Sequence, residues 1–210
     1  MLKVAFLVSG GGTNLQAVID AVGRKEINAQ IVKVISSRPG VYALERAEKA
    51  NIATGVVDRK QYASDAEFDK ALLESLEESG AELIVLAGFL RVFGEEFIEA
   101  YRNKIINIHP SLIPSFCGKG FYGIKVHEAA IEAGVRITGA TVHFVDEGCD
   151  SGPIILQKAV CVKQCDDAES LQQKVMEEAE WVLLPKAIGL IADGHVSVKH
   201  GRVIIREKRV

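Results

Sequence analysis

The sequence has no apolar run long enough to cross a membrane and no large excess of charge of either sign. A membrane-spanning helix needs about 20 consecutive apolar residues, so we expect no membrane partner. The net charge of -3 at pH 7 provides no bulk attraction for nucleic acid. Hydrophobic residues make up 48% of the chain, too many for a disordered protein. Because repeats, low-complexity segments and linkers are also lacking, residues 1–210 are predicted to form one domain.

A secretory leader and a paired set of cysteines are missing as well. Residues 1–3 lead directly into an apolar strand rather than into a cleavable signal. The chain contains four cysteines, Cys117, Cys149, Cys161 and Cys165. Cys161 and Cys165 lack the close spacing and the second pair of a zinc ribbon, so we expect no metal. A cytoplasmic location with reduced thiols is the expectation.

From residue 3 to residue 109, short apolar runs alternate with amphipathic stretches. Such alternation predicts an α/β fold, with an open, mostly parallel, Rossmann-like sheet and helices on both faces. Further on, Thr138–Val145 and Ile154–Val160 are predicted to form an antiparallel hairpin. Ala168–Asp193 reads as one long helix with a bend at Pro185, followed by a short tail with two edge strands.

A glycine-rich loop, Ser9–Asn14, follows the first strand and precedes the first helix. Backbone N–H groups in such a loop, together with a helix N-terminus, favour a phosphate. Gly12, Thr13 and Asn14 are the candidate contacts. The loop is not a P-loop, and Leu15 stands where a dinucleotide fingerprint has its third glycine. Two interpretations stay open, a site for a single phosphate or a turn without a ligand.

A second candidate lies after the strand that ends near Ala87. It consists of Gly88 followed by Leu90, Arg91, Val92 and Phe93. An apolar stretch around one arginine at a strand end can line a pocket for a flat ligand. It can equally be core packing with the arginine in a salt bridge.

A third candidate is Asn107 and His109, which lie two residues apart on a strand closed by Pro110. Their side chains point the same way because strand residues alternate between the two faces. An amide donor beside an imidazole suits a reaction with a developing oxyanion and a moving proton. The alternative is that His109 caps the strand and Asn107 satisfies a turn. All three candidates lie at carboxyl ends of strands, where ligands of open α/β sheets bind.

The stretch Asn107–Leu112, with the later Asp150-Ser151-Gly152-Pro153, resembles the formyltransferase family that uses 10-formyltetrahydrofolate. The Ser9–Gln16 loop resembles that of the members that formylate phosphoribosylglycinamide in purine biosynthesis. The resemblance runs from Lys3 to Asp193. It implies an enzyme, a one-carbon transferase, in which the acceptor amine attacks the formyl group directly through a tetrahedral intermediate. The length leaves no room for the extra domain expected in tRNA formyltransferases or in deformylases.

The resemblance also implies residue roles. Asn107 donates its amide to the formyl oxygen, His109 is the general acid, and Asp150 raises the pKa of His109 by favouring the imidazolium. The folate, a co-substrate, is expected against Leu90–Phe93, Asn107 and the segment from Val145 to Asp150. The acceptor's phosphate and glycinamide ends are expected at Gly12, Thr13, Asn14 and Glu180. Residues 1–100 would then form a phosphate-binding half, and residues 101–210 a catalytic and folate-binding half. The expected partners are small molecules only, with the protein a monomer or homodimer.

Some residues depart from that family. Asp65 stands where many relatives have an arginine near the folate, and Arg59 or Lys60 are candidate substitutes. Cys149 beside Asp150 invites interpretation as a nucleophile, which direct formyl transfer does not need. The glycine-rich Cys117–Gly123 segment suggests a lid. Alternative functions are formyl transfer to another acceptor, formyltetrahydrofolate deformylation, a nicotinamide-dependent oxidoreductase and a non-catalytic ligand sensor.

Overall fold

The computed structural model describes residues 1–89 and 91–206. Its α-helices are α1 (Thr13–Gly23), α2 (Tyr42–Lys49), α3 (Asp65–Ser79), α4 (Glu95–Ala100), α5 (Ile124–Glu132), α6 (Ala168–Val175) and α7 (Trp181–Ala192). Its strands are β1 (Leu2–Val8), β2 (Ala29–Ser36), β3 (Thr54–Val56), β4 (Leu83–Ala87), β5 (Ile105–His109), β6 (Ile137–Phe144), β7 (Ile154–Cys161), β8 (Val196–Lys199) and β9 (Arg202–Ile205). A 3₁₀ turn spans Arg59–Gln61, and a π-helical turn spans Met176–Glu180.

Seven strands form one sheet in the order β3-β2-β1-β4-β5-β6-β7. Strands β1 to β5 run parallel, whereas β6 pairs antiparallel with both β5 and β7. The predicted fold class and the hairpin are therefore confirmed. The tail does contain two strands, as predicted, but β8 and β9 pair with each other in a separate sheet and are not edge strands of the main one.

Alternating side chains of the central strand β1 enter two cores, one on each face of the sheet. Val4, Phe6 and Val8 pack with α1, α2, α5, α6 and α7. Ala5 and Leu7 pack on the opposite face with α3 and α4. Burial on both faces explains why β1 reads as a continuous apolar run rather than as an alternating one.

The long C-terminal helix is interrupted before Pro185 rather than at it. α6, the π-helical turn and α7 follow without a gap, and Pro185 lies inside α7. The π-helical turn inserts an extra residue into the helical repeat at Met176–Glu180. This widened turn faces the loop between β1 and α1, as the contacts described below show.

Within residues 1–89 and 91–206, the structure contains no helix with the length and apolar character that membrane crossing requires.

The close approach of β6 and β7 predicts a sharp difference between two glycines. A Cβ at Gly139 would lie 2.0 Å from the carbonyl oxygen of Lys158, whereas a Cβ at Gly23 would meet nothing within 4 Å. We expect Gly139→Ala to reduce the free energy of unfolding by about 1–3 kcal/mol or more, because backbone must move. Gly23→Ala, at the end of α1, should leave it unchanged or raise it by up to about 1 kcal/mol.

Urea denaturation of both variants measures the difference. Equal stabilities for Gly139→Ala and Gly23→Ala would contradict the β6–β7 packing described here.

Candidate active site

The carboxyl ends of the parallel neighbours β1, β4 and β5 meet at one edge of the sheet. A cavity of about 350 Å³ opens at this edge, a volume typical of small-molecule sites. The candidate residues that line it are Asn14, Arg91, Val92, Asn107, His109, Val145, Asp150 and Glu180. Gly12 and Thr13 line an adjoining groove, which shares Asn14 with the cavity.

One candidate ligand contact after β4, Phe93, does not line the cavity. Phe93 is only 4% exposed and stacks on Phe97, with ring centroids 4.0 Å apart. Its side chain therefore belongs to the core on the α3–α4 face. Leu90 lies outside the described residues. Among the described residues 91–93, Arg91 and Val92 line the cavity.

His109 is buried at the end of β5 with both ring nitrogens near acceptors. Its Nε2 lies 3.0 Å from the carbonyl oxygen of Phe116. Because a carbonyl can only accept, Nε2 carries the proton in the neutral ring. Nδ1 lies 3.6 Å from Oδ2 of Asp150. Nδ1 is therefore the atom that gains or loses a proton when His109 titrates.

Burial lowers the pKa of His109 below its ordinary value. The Asp150 carboxylate and the Phe116 carbonyl act in the opposite direction, and they do not overcome the loss of solvation. The expectation that the pKa of His109 is raised is therefore wrong for the free protein. The direction of the Asp150 contribution is as expected, but burial is the larger effect.

Asp150 is held by backbone as well as by its histidine neighbours. It has a left-handed φ of 55°, and its Oδ2 accepts a hydrogen bond from the Gly118 N–H at 2.8 Å. Its Oδ1 lies 3.6 Å from Nε2 of His143. Burial acts to raise the pKa of Asp150, but the charge of His109 and the hydrogen bond from the Gly118 N–H act to lower it, and the pKa lies below its usual range. Asp150 is thus a carboxylate at neutral pH.

Asn107 is fixed by its neighbour across the sheet. Asn107 on β5 stands directly opposite His143 on β6. Its Nδ2 lies 3.2 Å from Nε2 of His143, while Nδ1 of His143 lies 2.7 Å from the Phe144 carbonyl oxygen. Asn107 and His109 of β5 thus share one wall of the cavity with Asp150, which lies much further along the sequence.

The glycine-rich loop fits closely against α2. Gly12 has a φ of +72°, and a Cβ there would lie 2.7 Å from the Ala43 Cβ. Gly12 also precedes α1 without any side-chain cap, so the first backbone N–H groups of this helix have no side-chain partner at the cap. A helix N-terminus of this kind favours an anion. The Arg46 Nε donates to the Gly11 carbonyl at 2.8 Å and fixes the loop from behind.

The π-helical turn brings Glu180 and Met176 against this loop. The Asn14 Nδ2 donates to Oε2 of Glu180 at 2.6 Å, and the Thr13 hydroxyl lies 3.8 Å from the Met176 sulfur. Glu180 is only 6% exposed. Burial raises the pKa of Glu180 to about 7, although the bond from Asn14 acts to lower it.

Arg91 combines both interpretations that the sequence left open. It lines the cavity, and its guanidinium pairs with Asp69 at 2.7 Å and with Asp65 at 3.0 Å. Arg59 pairs with the same Asp65 at 2.7 Å. Two arginines therefore neutralise the Asp65 carboxylate, which stands where many relatives have an arginine.

Sequence reasoning missed two buried histidines that line the cavity, His143 and His127. A single strand pattern gives no sign of which residue faces Asn107 across a sheet, so His143 read as an ordinary strand residue. His127 lies on α5, and burial lowers its pKa to about 4. A histidine in an amphipathic helix carries no signal that separates a cavity wall from a core position.

The structure also bears on the reactivity of the Cys149 thiol and on metal binding. Burial and the Asp150 carboxylate raise the pKa of the Cys149 thiol, so it stays protonated and is a poor nucleophile. Over the two described ranges, no group of three or more His, Cys, Asp or Glu side chains is placed to hold a metal ion.

Comparisons with known proteins agree with one another. The family model described as formyl transferase matches residues 2–188. A trifunctional purine biosynthetic protein adenosine-3 of Gallus gallus is 49% identical over 197 residues, covering 94% of this chain and 19% of that protein. A phosphoribosylglycinamide formyltransferase of Haemophilus influenzae is 38% identical over 199 residues, covering 95% of this chain and 91% of that protein.

A crystal structure of glycinamide ribonucleotide transformylase 1 from Symbiobacterium toebii matches with a TM-score of 0.93 at 40% identity. The match covers 99% of this chain and 95% of the other. The chain thus spans about a fifth of the length of its trifunctional relative in Gallus gallus, but nearly the whole length of these bacterial proteins.

The balance at His109 predicts how its titration responds to Asp150. We expect NMR titration to give a pKa for His109 below the ordinary 6.5 or so, and a lower one still in Asp150→Asn. Removing the carboxylate removes a charge that favours the imidazolium, while burial remains. A pKa that rises in Asp150→Asn would contradict the assigned contact.

Proposed function

Because this chain belongs to the formyl transferase family, we propose that it transfers a formyl group from 10-formyltetrahydrofolate to the amine of 5-phosphoribosylglycinamide. The folate is a co-substrate in this proposal, and no metal takes part. The reaction is a step of purine biosynthesis. Two relatives support it by name, the formyltransferase of Haemophilus influenzae and the transformylase of Symbiobacterium toebii.

One observation carries the proposal. An amide donor, an imidazole and a carboxylate line one cavity, and this cavity adjoins a loop suited to a phosphate. Formyl transfer to a phosphorylated amine requires these groups together, because it needs a hydrogen-bond donor to the oxyanion, a proton carrier and an anchor for the acceptor. A nicotinamide enzyme or a ligand sensor has no need for Asn107, His109 and Asp150 on one wall.

The proposed chemistry begins with the acceptor nitrogen bonding to the formyl carbon. The formyl oxygen becomes negative in the tetrahedral intermediate, and the Asn107 amide donates to it. The attacking amine loses a proton, and the folate nitrogen gains one as its bond to the carbon breaks. His109, neutral at the start, takes the proton at Nδ1 and returns it as a general acid.

Asp150 stabilises the charged state of His109. When Nδ1 is protonated, the imidazolium faces Oδ2 of Asp150, which is 3.6 Å away and already held by the Gly118 N–H. The carboxylate therefore favours proton uptake by a ring that burial would otherwise keep neutral. No covalent enzyme intermediate is needed, which agrees with the protonated state of the Cys149 thiol.

The acceptor is proposed to bind along the phosphate-loop side of the cavity. Its phosphate would contact Gly12, Thr13 and Asn14 at the start of α1, where backbone donors and the helix dipole favour an anion. Its sugar or glycinamide end would reach Glu180, which Asn14 already orients.

The folate is proposed to bind against the opposite wall. Arg91 and Val92 after β4, Asn107, and the turn from Val145 to Asp150 surround that part of the cavity. Arg91 is held by Asp69 and Asp65, so its guanidinium is fixed in place and its charge is already compensated.

In this proposal, residues 1–100 supply the phosphate loop, and residues 101–210 supply the catalytic groups and most of the folate site. The division is functional rather than structural, because Glu180 of the second half binds Asn14 of the first. The proposed setting is the cytoplasm, with small-molecule partners and a monomeric or homodimeric state.

Substitutions at the three polar groups test the proposal. We expect Asn107→Ala, His109→Ala and Asp150→Ala each to reduce kcat by about 10²–10⁴-fold, since each removes a group that acts on developing charge or on the moving proton. Turnover is measured as formylated glycinamide ribonucleotide, and circular dichroism checks the fold.

Glu99→Gln, an exposed carboxylate on α4 paired with Arg102, is the matched control and should keep full turnover. A wild-type rate in Asp150→Asn would contradict the role assigned to the carboxylate.

The titration of Glu180 makes a separate prediction about the acceptor. Its carboxyl is protonated below about pH 7 and ionised above, so it accepts hydrogen bonds from sugar hydroxyls better as the pH rises. We expect the Kd for phosphoribosylglycinamide to fall from pH 6 to pH 8 more steeply in the wild type than in Glu180→Gln, by calorimetry. Identical pH profiles would contradict a contact through this carboxyl.

A further inference from the structure

We propose that His143 is a positioning residue for this transfer, because its Nε2 fixes the amide of Asn107 with one N–H left free for the formyl oxygen. The inference rests on the proposed function and adds to it a residue that acts through Asn107. Nothing in the reaction requires His143 to touch a substrate.

The position of His143 in the sheet brings it to Asn107. It lies on β6, directly opposite Asn107 on β5 in the antiparallel register. Residues opposite each other in such a pair have their Cβ atoms about 4.5–5.5 Å apart. His143 is only 2% exposed, so water does not compete for the hydrogen bonds of its ring.

The backbone decides which nitrogen of His143 carries the proton. Nδ1 lies 2.7 Å from the Phe144 carbonyl oxygen, and a carbonyl oxygen can only accept. Nδ1 therefore bears the hydrogen, and Nε2 of the neutral ring presents a lone pair. This fixed tautomer makes His143 an acceptor on the side that faces the cavity wall.

The lone pair in turn decides which way the Asn107 amide points. Nδ2 of Asn107 lies 3.2 Å from Nε2 of His143, so one of its two N–H groups is donated there. A flipped amide would place an oxygen against the lone pair, which is repulsive. The second N–H of Asn107 is thus held ready for the oxygen that becomes negative, and preorganised donors of this kind lower the barrier most.

Asp150 lies close to both His143 and His109, the proposed proton carrier. Its Oδ1 lies 3.6 Å from Nε2 of His143, and its Oδ2 lies 3.6 Å from Nδ1 of His109. A proton on Nε2 would turn His143 toward the carboxylate and remove the acceptor that Asn107 uses. The positioning role therefore belongs to the neutral ring.

Two substitutions at position 143 test the contacts of Nδ1 and Nε2 separately. An Asn side chain at position 143 places its amide near the Nδ1 position, so His143→Asn keeps the bond to the Phe144 carbonyl and loses the acceptor for Asn107. His143→Gln reaches the Nε2 position and keeps an oxygen acceptor there. Thr138→Val is the control, because Thr138 is also buried on β6 and lines no part of the cavity.

We expect His143→Asn to lower kcat by about tenfold or more with both KM values little changed, because the oxyanion donor is no longer preorganised. His143→Gln should stay within about threefold of wild type, and so should Thr138→Val. In an Asn107→Ala background, His143→Asn and His143→Gln should differ by less than about twofold, since a residue that acts through Asn107 has nothing left to position.

The inference is overturned if His143→Asn matches the wild type, if a folded His143→Gln loses as much as His143→Asn, or if their ratio persists without Asn107. Thermal melting of each variant identifies a loss that comes from unfolding, and the Gln variant still decides the matter if the Asn variant does not fold. A wild-type protein that forms no formylated acceptor would overturn the proposed function itself, whereas an active wild type with equal variants overturns only this inference.

Discussion

The carboxylate of Asp150 joins three parts of the chain that sequence order keeps apart. It accepts from the Gly118 N–H in the loop after β5 and faces His109 of β5 and His143 of β6. The turn that presents it has little freedom, because Asp150 has a left-handed φ of 55° and a Cβ at Gly152 would lie 1.9 Å from the Phe144 carbonyl. The backbone of the Asp-Ser-Gly-Pro stretch is thus constrained, and this constraint fixes the position of the Asp150 carboxylate.

The charge of Asp150 and the burial of His109 act on the pKa of His109 in opposite directions. Burial in the wall of the cavity lowers the pKa of His109 and of His127, and the Asp150 carboxylate is the larger of the two influences that favour a proton on His109, the other being the Phe116 carbonyl. In the proposed reaction, opposed influences of this kind would let His109 both take up and release a proton at modest cost, as transfer between two nitrogens requires. The same burial raises the pKa of Glu180 to about 7 beside the phosphate loop, so one physical cause sets the protonation of groups on both sides of the cavity.

The sequence predicted whatever depends on local pattern. Apolar runs such as that of β1, the glycine turn before α1 and the hairpin of β6 and β7 carry their own periodicity, and Asn107 and His109 share a face by strand geometry alone. Pairing across the sheet is not local, so His143 was missed although it stands opposite Asn107. The pKa of His109 was predicted in the wrong direction because burial is a property of the folded molecule. The π-helical turn at Glu180 was likewise hidden, since no residue type marks an inserted turn.

We propose that this cavity moves a formyl group between a folate and a phosphorylated amine. The most direct test of this proposal is to incubate the protein with 10-formyltetrahydrofolate alone and with phosphoribosylglycinamide added, following the folate by absorbance and the products by mass spectrometry. We expect the folate to lose its formyl group only when the acceptor is present, and the group to appear on the glycinamide amine. Loss of the formyl group as formate without acceptor, or no loss in either case, would contradict the proposal.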